Sequence, residues 1–419
     1  MAAHPDPRVL FSRSFLRYLG PGFIVTVGFI DPGNWATNLA AGSRFGYELL
    51  WVITLATLML ILFQGMSARL GIATGHSLAY AVRRRFSRPW VAVFGGSIVL
   101  ACVATDIAEI LGGALGFNLL FGLPLWLGGV LSLVLKVGLV ATGRYHMIER
   151  LIVVFLAIIA VCYVGELFMV KPDWASAARS AVVPQVSGAS IAVAVGMLGA
   201  VVMPHNIYLH SNVILSRDWT ADPADKARLI SYEMGDTTIA MSMGWLVNSA
   251  MVIVAAAVFN RHAIDVTSIE QASATLEPLV GALARGLFGV ALLLAGLGSS
   301  ITSSMAEANV LTGYLGRPED PRSTFYRIGL FVLALPAFLV IVAGFDSYKV
   351  LLLSQVLLSI QLPLTILPLL LLTGDRRVMG DLVSGRVERS LGAVAGVVVV
   401  ALNVVLLFTV FRTAAGGGP

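Results

Sequence analysis

Charge is what this sequence is shortest of. Asp, Glu, Lys and Arg together make up 12% of its 419 residues, about half their share in an ordinary soluble domain. Hydrophobic residues reach 58%, with a mean hydropathy of +0.88. A water-soluble globule is excluded, and the composition predicts an all-α polytopic membrane protein. Cysteine is nearly missing too. Cys102 and Cys162 lie in apolar stretches without a close partner in sequence, which excludes a disulfide framework or a cysteine metal site and leaves them as packing residues. There is no His-Glu-x-x-His, and His205 and His210, five residues apart, do not share a helical face. An intramembrane zinc hydrolase therefore has no ligand set here, and no enzymatic activity is expected. No small-residue cleavage site follows the short basic N-terminus, so no removable signal peptide is expected. An independent soluble domain has no room beside about eleven spans of about 20 residues each.

Apolar runs read against turn and charge signals predict spans near 20–42, 46–72, 91–121, 123–142, 148–170, 189–215, 233–258, 277–313, 327–344, 349–373 and 390–411. Residues 1–19 form an N-terminal segment, and 20–412 form one transmembrane domain. With the N-terminus inside, nineteen Lys and Arg residues fall in cytoplasmic segments, among them the Arg83-Arg84-Arg85 run, and seven fall outside, a strong positive-inside bias. The N-terminus is thus expected in the cytoplasm and the C-terminus outside. These loops account for the net charge of +5, which needs no nucleic-acid partner.

Two spans are broken in their middles by polar, turn-forming tetrapeptides: Asp31-Pro32-Gly33-Asn34 in the first and Met203-Pro204-His205-Asn206 in the sixth. Backbone freed inside a bilayer is tolerated only where protein satisfies it or where it lines a cavity, so matched breaks point to a midplane substrate site. Spans one to five (about 20–170) and six to ten (about 189–373) would form repeats of opposite topology, because five crossings invert the second half. The run at 390–411 is an extra helix. Asp31 offers a carboxylate, Asn34 an amide oxygen and Met203 a thioether, while the turns around Gly28 and Ala200 expose carbonyls. Oxygen donors joined by one soft donor suit manganese or ferrous iron, and cadmium as well, over calcium and magnesium. Each of these residues also has a plainer use, Met203 as a core filler and Asp31 as a helix terminator. An uncompensated aspartate at that depth, however, costs about 2.5–3.5 kcal/mol, which argues for a functional role.

A second constellation lies in the third span, where Asp106 and Glu109, three apart, share a helix face. The alternative is a capping box that starts a helix there, but apolar sequence continues on both sides without a turn signal. Acidic residues inside spans mark ion or proton pathways, and the pair is read as an intramembrane proton site.

These residues resemble the Nramp family of proton-coupled divalent-metal transporters, whose first-helix signature is Asp-Pro-Gly-Asn and whose sixth-helix signature is Met-Pro-His. Agreement extends to Gly33 through Asn38, Thr105 to Glu109, Met203 to Ser211 and Ser354-Gln355-Val356 in the tenth span, nearly the whole chain. The resemblance implies an amino-acid/sodium-symporter-like fold with inverted five-helix repeats and broken helices one and six. It implies metal ligands at Asp31, Asn34, Met203 and Gln355 and at the carbonyls of Gly28 and Ala200, and a proton path through Asp31, Asp106, Glu109 and His205. It further implies a multi-pass protein of the cell membrane that imports manganese, iron or cadmium as substrate by alternating access, with no cofactor, and with protons and lipid as its other partners. Two departures stand out. The family's paired arginines before the ninth span are replaced by the separated Arg322 and Arg327, and Glu307 stands where the family commonly has glycine. Glu307 is either an added acidic site or, the reading slightly favoured, a residue near the cytoplasmic end paired with a loop arginine. The competing function is a sodium-coupled transporter of a small organic solute on the same architecture, which a midplane aspartate and thioether fit less well.

Overall fold

The computed structural model describes residues 15, 19–217 and 222–414, so the expected N-terminal segment, with Arg8, Arg13 and Arg17, lies almost wholly outside the described residues. Among the described residues every regular element is helical. The first span comprises α1 (Pro21–Gly28) and α2 (Pro32–Phe45), followed by α3 (Leu50–Thr74), a short α4 (Leu78–Arg85), α5 (Arg88–Phe121), α6 (Leu125–Ala141) and α7 (Tyr145–Met169). After a short α8 (Trp174–Ser180), the sixth span is again split, into α9 (Ile191–Val201) and α10 (Pro204–Val213). Then come α11 (Pro223–Val258), α12 (Ile269–Val280), α13 (Ala282–Leu315), α14 (Thr324–Val342), α15 (Ser347–Gly374), a four-residue α16 (Arg376–Met379) and α17 (Arg386–Ala414).

Among the described residues nine stretches are long and apolar enough to cross a membrane. The shorter α6 and the pair α1–α2 make eleven crossings (9 + 1 + 1), as the apolar runs predict. One boundary differs from expectation. Gly281, at φ +115°, breaks the chain between α12 and α13, so the eighth crossing starts at Ala282 and residues 277–280 belong to the preceding short helix. The positive φ suits glycine alone among the residues here. Helices α4, α8 and α12 leave no mark on the hydropathy profile. Each starts behind a side-chain cap: Ser77 accepts from Tyr80 N–H, Asp173 from the N–H groups of Ala175 and Ser176, and Ser268 from Gln271 N–H.

The two repeats appear in which helices touch. At the centre α5, third crossing of the first half, packs along α13, third crossing of the second. Around this axis contacts come in exchanged pairs: α13 against α7 matches α5 against α15, α11 against α2 matches α3 against α10, and α5 against α6 matches α13 against α14. This exchange is what an inverted repeat requires. The central crossing is close enough that a Cβ on Gly296 would sit 2.9 Å from the Cα of Gly113, backbone against backbone. Apolar side chains fill the remaining contacts and α17 packs on the outside of α15.

Candidate metal site

Proline creates both breaks, for one chemical reason. A helix gives the carbonyl of residue i the N–H of residue i+4, and proline has none. Pro32 therefore leaves the carbonyl of Gly28 without its helical donor, and Pro204 does the same to Ala200. Each proline then starts the next helix, Pro32 behind Asp31 and Pro204 behind Met203, at positions where a missing N–H costs nothing. Asp31 caps α2, its carboxylate accepting from Asn34 N–H at 2.9 Å and from Gly33 N–H at 3.1 Å. Two helix starts thus point their free N–H ends and two interrupted helices their free carbonyls toward one spot.

Three segments meet there. A Cβ on Gly28 would run into the Asn206 amide, one on Gly33 into Gln355, and one on Gly199 would lie 2.7 Å from the N of Ser359. At Gly199, where the neighbour is main chain, only glycine fits. Gln355 Nε2 donates to Asp31 Oδ2 at 3.3 Å, Asn34 Nδ2 donates to Phe29 O at 2.5 Å and to Asn248 Oδ1 at 2.8 Å, and Asn206 Nδ2 faces Met203 Sδ at 3.5 Å. Because the NH2 groups of Asn34, Asn206 and Gln355 are engaged, their oxygens are left over. Asn34 Oδ1, Asn206 Oδ1 and Gln355 Oε1 are all buried without a hydrogen-bond partner. Buried polar atoms are nearly always paired, and three acceptors without a protein donor, beside a carboxylate and a buried thioether, are groups that could hold a cation. Among the described residues no group of three His, Cys, Asp or Glu side chains could hold a metal. The donors here are instead one carboxylate, amides, backbone carbonyls and a sulfur.

The second constellation sits beside it. Helix α5 runs unbroken through Asp106 and Glu109, which removes the capping-box alternative, and both acids are fully buried. The Ser303 hydroxyl of α13 donates to Glu109 Oε2 and lies 3.3 Å from Asp106 Oδ1. His205 Nδ1 meets Thr105 Oγ1 at 3.3 Å, and the Thr105 hydroxyl donates to Ala101 O at 3.0 Å. His205 Nε2 is buried without a partner.

One expectation is corrected here. Glu307 pairs not with a loop arginine but with Lys136 of α6, at 3.8 Å, and Lys136 also donates to Asp106 Oδ1. All three side chains are completely buried. Arg322 and Arg327 take no part; Arg327 braces the loop by donating to the carbonyls of Pro321 and Ala141.

Both approaches to the site are shut. On one side Trp35 stacks edge-on against Tyr163 and Phe288, with ring centroids 5.3 and 5.0 Å apart, above a cavity of about 10 Å³, room for one water. Glu166 faces that cavity with neither carboxylate oxygen paired. On the other, arginine-rich side Asp236 of α11 accepts from Gly20 N–H at 3.2 Å and Gly22 N–H at 2.8 Å, tying down the start of α1. Arg217 adds a bond to Leu19 O at 2.9 Å and an ion pair with Glu149. His210 bridges Gln64 and Glu233 at 2.9 and 2.6 Å, which disposes of it as a metal ligand. Cys102 and Cys162 are free thiols, buried in the apolar core.

The structure brings together Asp31, Asn34, Met203 and Gln355 with the Gly28 and Ala200 turns, and places Asp106, Glu109 and His205 alongside. Sequence reasoning passed over Asn206, Asn248, Lys136, Glu166 and Asp236. A signal existed for Lys136, Glu166 and Asp236: each is an ionisable residue inside a span.

Residues 22–409 match the family model described as natural resistance-associated macrophage protein-like, Nramp. The divalent metal cation transporter MntH of Granulibacter bethesdensis is 40% identical over 415 residues, 97% of this chain and 91% of that protein. The divalent metal cation transporter MntH of Clostridium acetobutylicum is 41% identical over 404 residues, 95% of this chain and 92% of that protein. A crystal structure of an Eremococcus coleocola manganese transporter mutant superimposes with a TM-score of 0.85 at 28% identity, covering 99% of this chain and 90% of that one. Mhp1, a nucleobase-cation-symport-1 family transporter, shares the fold at TM-score 0.65 and 17% identity, covering 96% and 94% of the two chains.

Proposed function

Because this chain belongs to the Nramp family, we propose that it imports divalent transition-metal ions, namely manganese, ferrous iron and cadmium, coupled to protons and by alternating access. The observation that carries this reading is the set of orphan oxygens at the two breaks, converging with the Asp31 carboxylate and the Met203 thioether. An ion entering gives up hydration oxygens and receives Asp31, Asn34, Gln355 and the carbonyls of Gly28 and Ala200 in return. Only Met203 among these donors is soft. It costs a calcium or magnesium ion an oxygen ligand and costs manganese far less, so sulfur supplies the discrimination.

The positive-inside bias places the arginine-rich end in the cytoplasm of the cell membrane, with the N-terminus inside and the C-terminus outside. In that orientation the Trp35 side faces outward and the Asp236 clasp inward. A membrane potential of 100 mV, negative inside, then favours entry of a divalent ion by about 4.6 kcal/mol, twice the single-charge value. Release follows when α1 swings away from α11 while the α5–α13 axis stays fixed. Protons pass by Asp31, His205, Glu109 and Asp106. A sodium-coupled carrier of an organic acid fits less well, because the Asp31 carboxylate would face the substrate's own.

The test is manganese uptake into proteoliposomes with calcium and magnesium as competitors. Met203→Ala is expected to keep part of the manganese flux and lose discrimination against both competitors. Full selectivity in that variant would make Met203 a packing residue and remove the soft-ligand argument.

A further inference from the structure

Lys136 and Glu307 are the members of the buried acidic cluster that the transport reading leaves without a role. On α6 a stripe of buried residues at four-residue spacing, Gly128, Ser132, Lys136 and Val140, faces inward from a helix otherwise in lipid. Lys136 reaches Asp106 of α5 and Glu307 of α13 from that stripe. Ser303, which holds Glu109 and Asp106, lies one turn before Glu307 on α13. The order Glu109, Asp106, Lys136 and Glu307 therefore descends α5 and α13 toward the arginine-rich end.

Charge counting decides what this group holds. Three acids and one lysine would leave two uncompensated negative charges in a fully buried site, an arrangement that costs several kcal/mol per ion. Protons are the remedy available. No nitrogen or hydroxyl donor reaches either oxygen of Glu307, and Asp106 Oδ2 and Glu109 Oε1 are likewise unmatched. The one ammonium of Lys136 reaches both the Asp106 and the Glu307 carboxyl groups. Two carboxyl groups gathered on a single buried cation are best accommodated when one of them carries a proton.

We propose that Glu307, set against Lys136 and sharing a proton with Asp106, is the exit station from which protons leave the transport path toward the cytoplasm. In the step, the O–H bond on Asp106 breaks as an O–H bond forms on Glu307. The electron pair stays on the Asp106 carboxylate, where the Lys136 ammonium stabilises it. Lys136 thus acts as a positioning residue: it keeps one negative charge in the cluster at all times and makes the proton on Glu307 the one free to go. The other titratable groups facing the cluster are Cys102 on α5, Asp31 at the head of α2, His205 on α10 and Tyr326 on α14, none of them a permanent cation.

The inference rests on proton coupling in the proposed function, and the experiment separates the two. Proteoliposomes loaded with a pH-sensitive dye report proton entry alongside manganese uptake, at fixed membrane potential and several external pH values. Glu307→Gln is expected to take up manganese more slowly and to lose metal-stimulated proton entry, and Glu307→Asp to restore it. Lys136→Met is expected to shift the pH profile of proton entry, and the double variant Lys136→Met/Glu307→Gln to recover the folded yield that the single lysine variant loses. Wild-type protein without metal-stimulated proton entry removes the coupling and the inference together. Wild-type coupling that survives unchanged in Glu307→Gln removes the inference alone.

Discussion

Cutting the Asp236 clasp is expected to unlatch the arginine-rich end of the protein without touching the candidate metal site. Asp236 accepts from Gly20 and Gly22, the donors at the start of α1, and a Cβ on Gly22 would lie 2.9 Å from the backbone N of Thr237, so α1 rests directly on α11. Asp236→Ala leaves both N–H groups without an acceptor in the closed state, while the open state exposes them to water. At a net value of about 1 kcal/mol per bond, the two bonds contribute about 2 kcal/mol to closure. That shifts the closed-to-open ratio by about 30-fold. Asp236→Asn keeps one acceptor oxygen and is expected to fall between. The assay is the rate at which a maleimide modifies a cysteine placed by Ile24→Cys, a fully buried position on α1, in a background with Cys102 and Cys162 replaced by serine. Equal labelling rates with and without the Asp236→Ala change would refute the idea that this clasp holds α1 shut.

Three further outcomes are expected. Asp31→Ala abolishes manganese uptake at every pH tested, and normal flux in that variant removes Asp31 from the site. Glu166→Gln weakens apparent manganese affinity by about tenfold through loss of a carboxylate at the outer cavity; an unchanged concentration dependence shows that Glu166 does not guide the ion. In the loop between α13 and α14, burial pushes the Glu319 carboxyl above its ordinary range, against the donors Ser77 and Asn212, which pull it down. A folded-state value above the unfolded one means that the folded protein binds this proton more tightly. The stabilisation is therefore complete below the ordinary glutamate value and fades as pH rises through the folded value. Thermal unfolding in detergent from about pH 4 to 7 should show that decline in the wild type, and Glu319→Gln should flatten it; identical profiles would contradict the assignment.

What could be read from the residues divides along the range of the forces involved. The two breaks were legible because proline and its polar neighbours interrupt a helix through local chemistry, and Asp106 with Glu109 because a three-residue spacing in an apolar run fixes a shared face. The crossings followed from hydropathy, since the bilayer imposes their length. The pairing of Lys136 with Glu307 was not legible: it depends on where the fourth and eighth crossings meet, and nothing within a window of either residue encodes that. The same holds for Asn206 and Asn248, whose amides matter only through the partners that other helices bring. Helices α4, α8 and α12 escaped notice because their stability comes from caps and from contact with the bundle rather than from length in lipid.

The contact of Gly113 on Gly296 has a bearing on leakage. With main chain laid on main chain at this contact, no water molecule fits between α5 and α13 there. Under the proposed proton coupling, a proton passing there would have to hop between side chains, one residue at a time. The tightness of two small residues would then meter what the row of acids can carry.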